Sequence, residues 1–389
     1  MPSQPHIRFC NSSDGTQLAS AQFGSGPVLV KAATWLTHIE HTPPGSIHSA
    51  LIEEFSRNGT YLHYDTRGCG LSQRRVHDIS FEAWVKDLES VVDTHGHERF
   101  ALLGFTCAAG VAVEYAARHP ERVSHLILFG GFATSYHSTS HPDPAVRREG
   151  DLLVELAAVG WGNSSPSFRQ VFASRFMPDA TPAQWNAFDR AQRETATPDV
   201  AVRYLQAMYA VNVKDSCARV RCPTLVLHRK DDQMVRFEQG RRLAALIPGA
   251  RFVALEGSNH IPFTHEAAWK GFVDETLAFL NAAPGAQARG EPPAKPTRLT
   301  PRQHEVLRLL ELHAEGIEIV EIEIDARSPC AGAPIAAAGL PNGSRVIALL
   351  REGRALITDD STRLRPGDQV LVLVPPDLEP AVRDALRAS

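Results

Sequence analysis

Short apolar runs alternate with stretches of helical period, and this alternation limits the possible folds more than any other feature. Residues 28–30, 61–64, 100–103 and 123–129 are strand-like, while 47–58, 81–95 and 110–118 are helical in period. In the second of these helices Phe81, Trp84, Val85, Leu88, Val91 and Val92 share one face, as an amphipathic helix requires. Apolar strands separated by helices point to a mostly parallel sheet covered on both faces. Ahead of them, residues 6–9 and 17–23 read as a hairpin turning at Gly15, a residue free to adopt φ > 0.

The alternation pauses over about 135–217, which is helix-like and rich in Ala, Arg and Gln, and then resumes at 224–228, 236–246, 251–255 and 267–280. A helical insert between two βα units reads as a cap over the open end of the sheet. At 281–299 the character changes: Pro284, Pro292, Pro293, Pro296, Gly285 and Gly290 appear with no aromatic residue, the composition of an extended linker. Thr300, Pro301 and Gln303 then fit the N-cap, first-turn and capping-box positions of a helix. Val306, Leu307, Leu309 and Leu310 give this connecting helix, 300–315, its apolar stripe. Residues 316–389 switch to strands at 317–324, 346–350, 354–358 and 369–374, with short helices at 334–338 and 378–386. A chain of 389 residues exceeds one ordinary core, so 1–280 and 316–389 are read as separate domains, α/β and small α+β.

Charge and cysteine usage exclude several function classes. The net charge of −4, without a basic block, provides no footprint for nucleic acid. No apolar run is long enough for a bilayer, and the first residues lack a charged and an apolar signal region; a cytoplasmic chain is expected. Cys10, Cys69, Cys107, Cys217, Cys222 and Cys330 are scattered without a C-x-x-C pair, which reads as free thiols rather than a disulfide framework or zinc knuckle. His38, His41, His48 and His63 fall into no metal-ligand spacing, so neither metal nor cofactor is expected.

The chemistry-bearing stretch is Leu102-Leu103-Gly104-Phe105-Thr106-Cys107-Ala108-Ala109-Gly110, between a buried strand and a helix. Such a bend presents a nucleophile at the tip of a sheet. It resembles the G-x-S-x-G elbow of α/β-hydrolases, with Thr106 at the serine position and Ala108 at the second glycine. Asp65-Thr66-Arg67-Gly68-Cys69-Gly70-Leu71-Ser72 resembles a loop common in these folds, its Asp65 and Arg67 tied by internal hydrogen bonds. Asp232, after the strand 224–228, resembles the triad acid, and His260 in Gly257-Ser258-Asn259-His260 resembles the base. The resemblance covers about 6–280 and implies an α/β-hydrolase fold with a catalytic triad of Thr106, Asp232 and His260, in the family's order. Many relatives carry His-Gly after the strand at 28–30. Here the chain reads Lys31-Ala32-Ala33-Thr34-Trp35, leaving the backbone N–H groups of Thr34 and Cys107 as oxyanion donors.

Three readings of the bend stay open. Thr106 attacks, since a threonine hydroxyl can be a nucleophile. Alternatively the pocket is repurposed, with Asp232 and His260 kept as a structural hydrogen bond, because the elbow needs φ > 0 and a β-branched residue resists it. Third, Cys107 attacks, although its side chain is aimed one residue away from the triad.

The last segment resembles the RCK C-terminal domain, also called TrkA-C. The match runs through residues 319–324, Ser328-Pro329-Cys330-Ala331-Gly332, Leu340-Pro341, residues 345–353 and residues 364–372, including Pro366-Gly367-Asp368. The resemblance implies a regulatory, ligand-sensing domain that dimerises, making the chain a homodimer, and that binds small ligands such as cyclic di-AMP near the subunit interface. Arg345 and Arg351 are the phosphate-contact candidates, a guanidinium pairing bidentately with phosphate; the competing reading is solvated strand arginines. The family accompanies cation transport, yet no membrane segment makes this chain a channel. Residues 299–307 resemble the start of a LuxR-type DNA-binding domain, but the chain turns to strand where a recognition helix is needed. The composite expectation is a ligand-regulated hydrolase acting on a small acyl ester or thioester. The alternatives are a non-catalytic small-molecule sensor and a partner of transport machinery.

Overall fold

The computed structural model describes residues 6–35, 37–40, 46–57, 59–135, 144–161, 173–282, 318–351, 354–357 and 361–386. The expected connecting helix 300–315, and the linker beyond residue 282, lie outside the described residues. The chain divides into two compact units, Met1–Val154 with Arg175–Asp179 and Arg190–Arg298, and Glu155–Ser174 with Ala180–Asp189 and Leu299–Ser389.

The first unit is built on eight strands: β1 His6–Asn11, β2 Gln17–Gly24, β3 Val28–Lys31, β4 Thr60–Tyr64, β5 Phe100–Phe105, β6 Val123–Phe129, β7 Thr224–Arg229 and β8 Arg251–Leu255. Their order is β1-β2-β4-β3-β5-β6-β7-β8. β1, β2 and β4 pair antiparallel, and every later pairing is parallel. The central parallel strands are buried on both faces, whereas the edge strand β8 is only partly buried; β5 is buried along its whole length, which is why it reads as an unbroken apolar run.

Helices α1 (Ile47–Ser56), α2 (Phe81–Thr94) and α3 (Ala108–Arg118) follow β3, β4 and β5. Ser46 and Ser80 accept from the N–H groups of Ser49 and Ala83, capping α1 and α2. Between β6 and β7 the described chain is largely helical, with α4 (Pro144–Gly160), α5 (Pro182–Thr195) and α6 (Pro198–Tyr209). Thr197 caps α6 and Pro198 opens it, since a missing N–H costs nothing in the first turn. α7 (Phe237–Leu246) and α8 (Ala267–Asn281) close the unit.

One core layer holds Leu29, Tyr61, Leu103, Phe105, Ile127, Phe129, Leu225 and Leu227 from the strands, Leu51 and Phe55 from α1, and Trp269 and Phe272 from α8. Phe272 meets the rings of Phe55 and Phe129 edge-on. Each such buried side chain is worth about 1.5–3 kcal/mol against solvent exposure.

The C-terminal strands β9 (Glu318–Glu323), β10 (Arg345–Arg351), β11 (Arg354–Ile357) and β12 (Gln369–Val374) form a separate antiparallel sheet, order β11-β10-β12-β9. Val320, Ile322 and Ile324 are buried with Val370, Val372 and Val374, while Glu323 is exposed. β9 alternates in this way, whereas on β12 Leu371 is buried as well, and Val382 and Leu386 of α9 (Glu379–Leu386) join the same core. The hairpin expected around residues 352–353 is present as the pair β10–β11, with Arg351 opposite Arg354.

Candidate active site

β5 extends two residues past its expected end, and α3 starts two residues earlier than expected. The bend between them is therefore only Thr106 and Cys107. Thr106 has φ 51, and among the described residues no other non-glycine has positive φ. Its N–H donates to Phe129 O at 3.0 Å, and the Ala109 N–H donates to its carbonyl at 3.2 Å. Close approach of α3 takes its room from glycines: a Cβ on Gly104 would lie 2.6 Å from Ala108 O, and one on Gly131 would lie 2.4 Å from Ala109 Cβ. Ala108 thus fits although the family pattern has glycine there.

The bend points the Thr106 hydroxyl at the residue read as its base. Thr106 Oγ1–H donates to His260 Nε2 at 2.5 Å, and His260 Nδ1–H donates to Asp232 Oδ2 at 2.6 Å. Asp232 Oδ1 accepts from the N–H groups of Met234 and Val235 at 2.8 and 2.9 Å. All three side chains are buried. Burial alone pushes the Asp232 carboxyl up; the facing His260 and the hydrogen bonds outweigh it and hold the group below the usual carboxylate range. The acid is therefore ionised and fixes the tautomer that leaves Nε2 open to take a proton.

Residues not singled out in the sequence complete the relay. Phe176 O accepts the His260 N–H at 2.7 Å, and the Phe176 ring meets the imidazole edge-on. Gly130, at φ 57, lets that imidazole approach, since its Cβ would lie 2.6 Å from His260 Cε1. His228 Nε2–H donates to Val235 O at 2.8 Å and lies 3.6 Å from Asp232 Oδ2. Burial keeps His228 below the ordinary histidine range, so a neutral ring braces the loop of the acid. Behind His260, Glu266 accepts from Arg229, from Asn259 Nδ2 and from the Phe263 N–H. The spacing of His228 four residues before Asp232 was visible in the sequence; Phe176 contributes a backbone carbonyl, which no sequence pattern marks.

On the opposite side stand Thr34 and Cys107. Among the described residues neither backbone N–H donates to a protein acceptor. The Cys107 thiol is directed at Thr34 Oγ1 (3.8 Å) and Tyr204 OH (3.6 Å), and burial pushes it up. That leaves a protonated sulfur facing away from the relay, so Cys107 contributes backbone and packing there. Tyr204 of α6 packs on Trp35 and on Trp84 of α2, so three aromatic rings from separate segments meet on this side. Asp65 and Arg67 are structural: Arg67 grips both oxygens of Asp87 (2.6 and 2.8 Å) and also Asp14, while Asp65 Oδ2 accepts from Ile39 and Leu71 N–H groups.

In the C-terminal sheet the Arg351 guanidinium is engaged. It donates to both oxygens of Asp368 at 2.8 Å and to Arg363 O at 2.7 Å. Arg345 opens β10, and its side chain lies outside the described residues. Among the described residues no three His, Cys, Asp or Glu side chains cluster as metal ligands, and no helix is long and apolar enough to cross a membrane. His41 lies outside the described residues.

Comparison with known proteins places the fold. The profile of the alpha/beta hydrolase fold family matches residues 39–267, and that of the TrkA-C domain matches residues 319–387. The provisionally named carbamate hydrolase RutD of Caulobacter sp. (strain K31) is 27% identical over 201 residues, covering 48% of this chain and 68% of that protein. The 2-hydroxy-6-oxo-2,4-heptadienoate hydrolase of Pseudomonas putida is 26% identical over 246 residues, covering 58% and 75%. Among solved structures, a Pseudomonas aeruginosa hydrolase superposes with TM-score 0.59 at 21% identity, over 72% of this chain and 100% of that one. An esterase from Exiguobacterium antarcticum gives 0.59 at 23%, over 70% and 99%; at these identities the likeness speaks for the fold.

Proposed function

The chain belongs to the α/β-hydrolase fold family, and from that premise we propose that it hydrolyses a small acyl ester or thioester with Thr106 as nucleophile. The observation that carries this reading is the unbroken relay from Thr106 through His260 to Asp232. Thr106 Oγ1 bonds to the acyl carbon as its proton passes to His260 Nε2, and the carbonyl electron pair moves onto oxygen. The N–H groups of Thr34 and Cys107 receive that oxyanion. His260 then protonates the departing alkoxide or thiolate, leaving an acyl-threonine. Water repeats the sequence, giving its proton to His260 and releasing the acid. The name of one relative adds 2-hydroxy-6-oxo-2,4-heptadienoate to the first substrate panel.

Turnover is slow, because the Thr106 methyl crowds the attack path. The same residue supports a second reading, a non-catalytic small-molecule sensor in which the relay is kept as structure: a β-branched side chain at φ 51 is a poor choice for a fast enzyme. A panel of activated acyl esters separates the two. Turnover that vanishes in His260→Ala supports the enzyme. Absence of turnover in the natural protein, with activity created by Thr106→Ser, supports the sensor.

The TrkA-C domain is read as the regulatory part, binding a cyclic dinucleotide such as cyclic di-AMP in a cytoplasmic homodimer; a role beside cation transport is compatible with it. For Arg351 to hold a phosphate it must leave Asp368, an exchange of one bidentate anion for another. Calorimetry of the full chain with cyclic di-AMP tests this; heat that disappears in Arg351→Ala supports the assignment, and no heat removes that ligand.

A further inference from the structure

Lys31 ends β3 and is 2% exposed, yet among the described residues its ammonium has no hydrogen bond and no carboxylate within ion-pair distance. Its ammonium lies 5.8 Å from the centroid of the Phe105 ring, the residue before Thr106. On the paired strands it sits level with Leu103 of β5 and His63 of β4. Three residues further on is Thr34. Burying a cation is costly, and the Phe105 ring and the charge of Asp65 offset only part of the cost; the adjoining His63 Nε2 is without a partner.

We propose that Lys31 is a positioning charge, held behind the nucleophile bend to favour the negative charge that develops on the acyl oxygen when Thr106 attacks. The inference rests on the hydrolase reading given above. A charge in a dry, low-dielectric site acts strongly over several ångströms and needs no reorganisation as the reaction proceeds.

The groups facing Lys31 leave it as the carrier of positive charge. His48 of α1 and His63 of β4 are pushed down to about 3 by burial and by Lys31, so both are neutral. Burial pulls Lys31 itself down to about 8, against the opposing influence of the Asp65 carboxylate. Asp65 is pushed up to about 6 by burial, and is ionised at neutral pH. The ammonium is therefore present at pH 7 and is lost as pH rises through about 8.

The test is Lys31→Met in the full chain, assayed with a p-nitrophenyl acyl ester from pH 6 to 10 alongside thermal melts. The wild type should lose kcat above pH 8. Lys31→Met should melt no lower, lose about 10- to 100-fold in kcat with KM moved less than about threefold, and lack that alkaline limb. Lys31→Arg, which keeps its charge throughout, should retain more activity than Lys31→Met and carry the limb to higher pH. Should the methionine variant not fold, the arginine variant decides: a limb unmoved from the wild type overturns the inference. Wild-type turnover matched by Lys31→Met ends this inference alone, leaving the hydrolase reading intact. A wild type no faster than Thr106→Ala ends both, since no oxyanion forms.

Discussion

Thr106 and Gly367 both turn the backbone through the left-handed region, at φ 51 and φ 90. The first follows β5 and the second precedes β12. At Gly367 nothing lies within 4 Å of where a Cβ would stand, so a side chain would fit and only the backbone asks for glycine. Its turn is held by Asp368, which accepts the Arg365 N–H at 2.7 Å and pairs with Arg351. At Thr106 the same conformation carries a β-branched side chain, at a cost of about 1–3 kcal/mol in strain. The difference separates a turn that only has to be made from a bend that has to present a hydroxyl.

Substitutions can break this contrast. The largest effect belongs to the hydroxyl and its partner: Thr106→Ala and His260→Ala should each lower kcat about 10⁴-fold in an acyl-ester assay, and losses that do not multiply in the double variant would mark one unit. Next, Asp368→Asn should destabilise the C-terminal unit by about 3 kcal/mol in urea melts, because it leaves Arg351 without its carboxylate. Thr106→Ser keeps the hydroxyl and drops the methyl, so kcat should rise about tenfold, the equivalent of about 1.4 kcal/mol. The smallest effects are on stability. Gly367→Ala should lower stability by about 1 kcal/mol. Thr106→Gly should be about 1 kcal/mol more stable than Thr106→Ala, which loses the same hydrogen bond to His260 at the same φ, and neither should turn over. A glycine variant no more stable than the alanine variant would show the bend to be unstrained, and the contrast would fall.

Much of the relay was legible because its members sit where strands end. Thr106, Asp232 and His260 each follow an apolar run, and buried parallel strands declare themselves by composition. The bend itself was less legible. β5 and α3 each run further than their patterns suggest, since Gly104 allows a contact that apolar periodicity does not encode. Tyr204 and Phe176 were invisible as site residues, since a tyrosine on an amphipathic helix and a backbone carbonyl have no local signature; His228 offered only its spacing of four residues before Asp232. Lys31 stood in plain view beside Thr34, but whether a lysine is buried and whether an acid meets it are questions about neighbours distant in the chain.

By itself the amino-acid order determined the parallel sheet, the helices before β7 and the separate C-terminal strands, because periodicity and turn chemistry act over a few residues, and its resemblance to a known family picked out Thr106, Asp232 and His260 as candidates. Only the tertiary structure decided that Thr106 reaches His260, that the Cys107 sulfur faces Tyr204, that Arg351 is paired with Asp368 and that, among the described residues, no carboxylate comes within ion-pair distance of Lys31. Those outcomes depend on burial and on distances between residues 17 to 154 positions apart, where desolvation and hydrogen-bond geometry, and not local preference, set the energies.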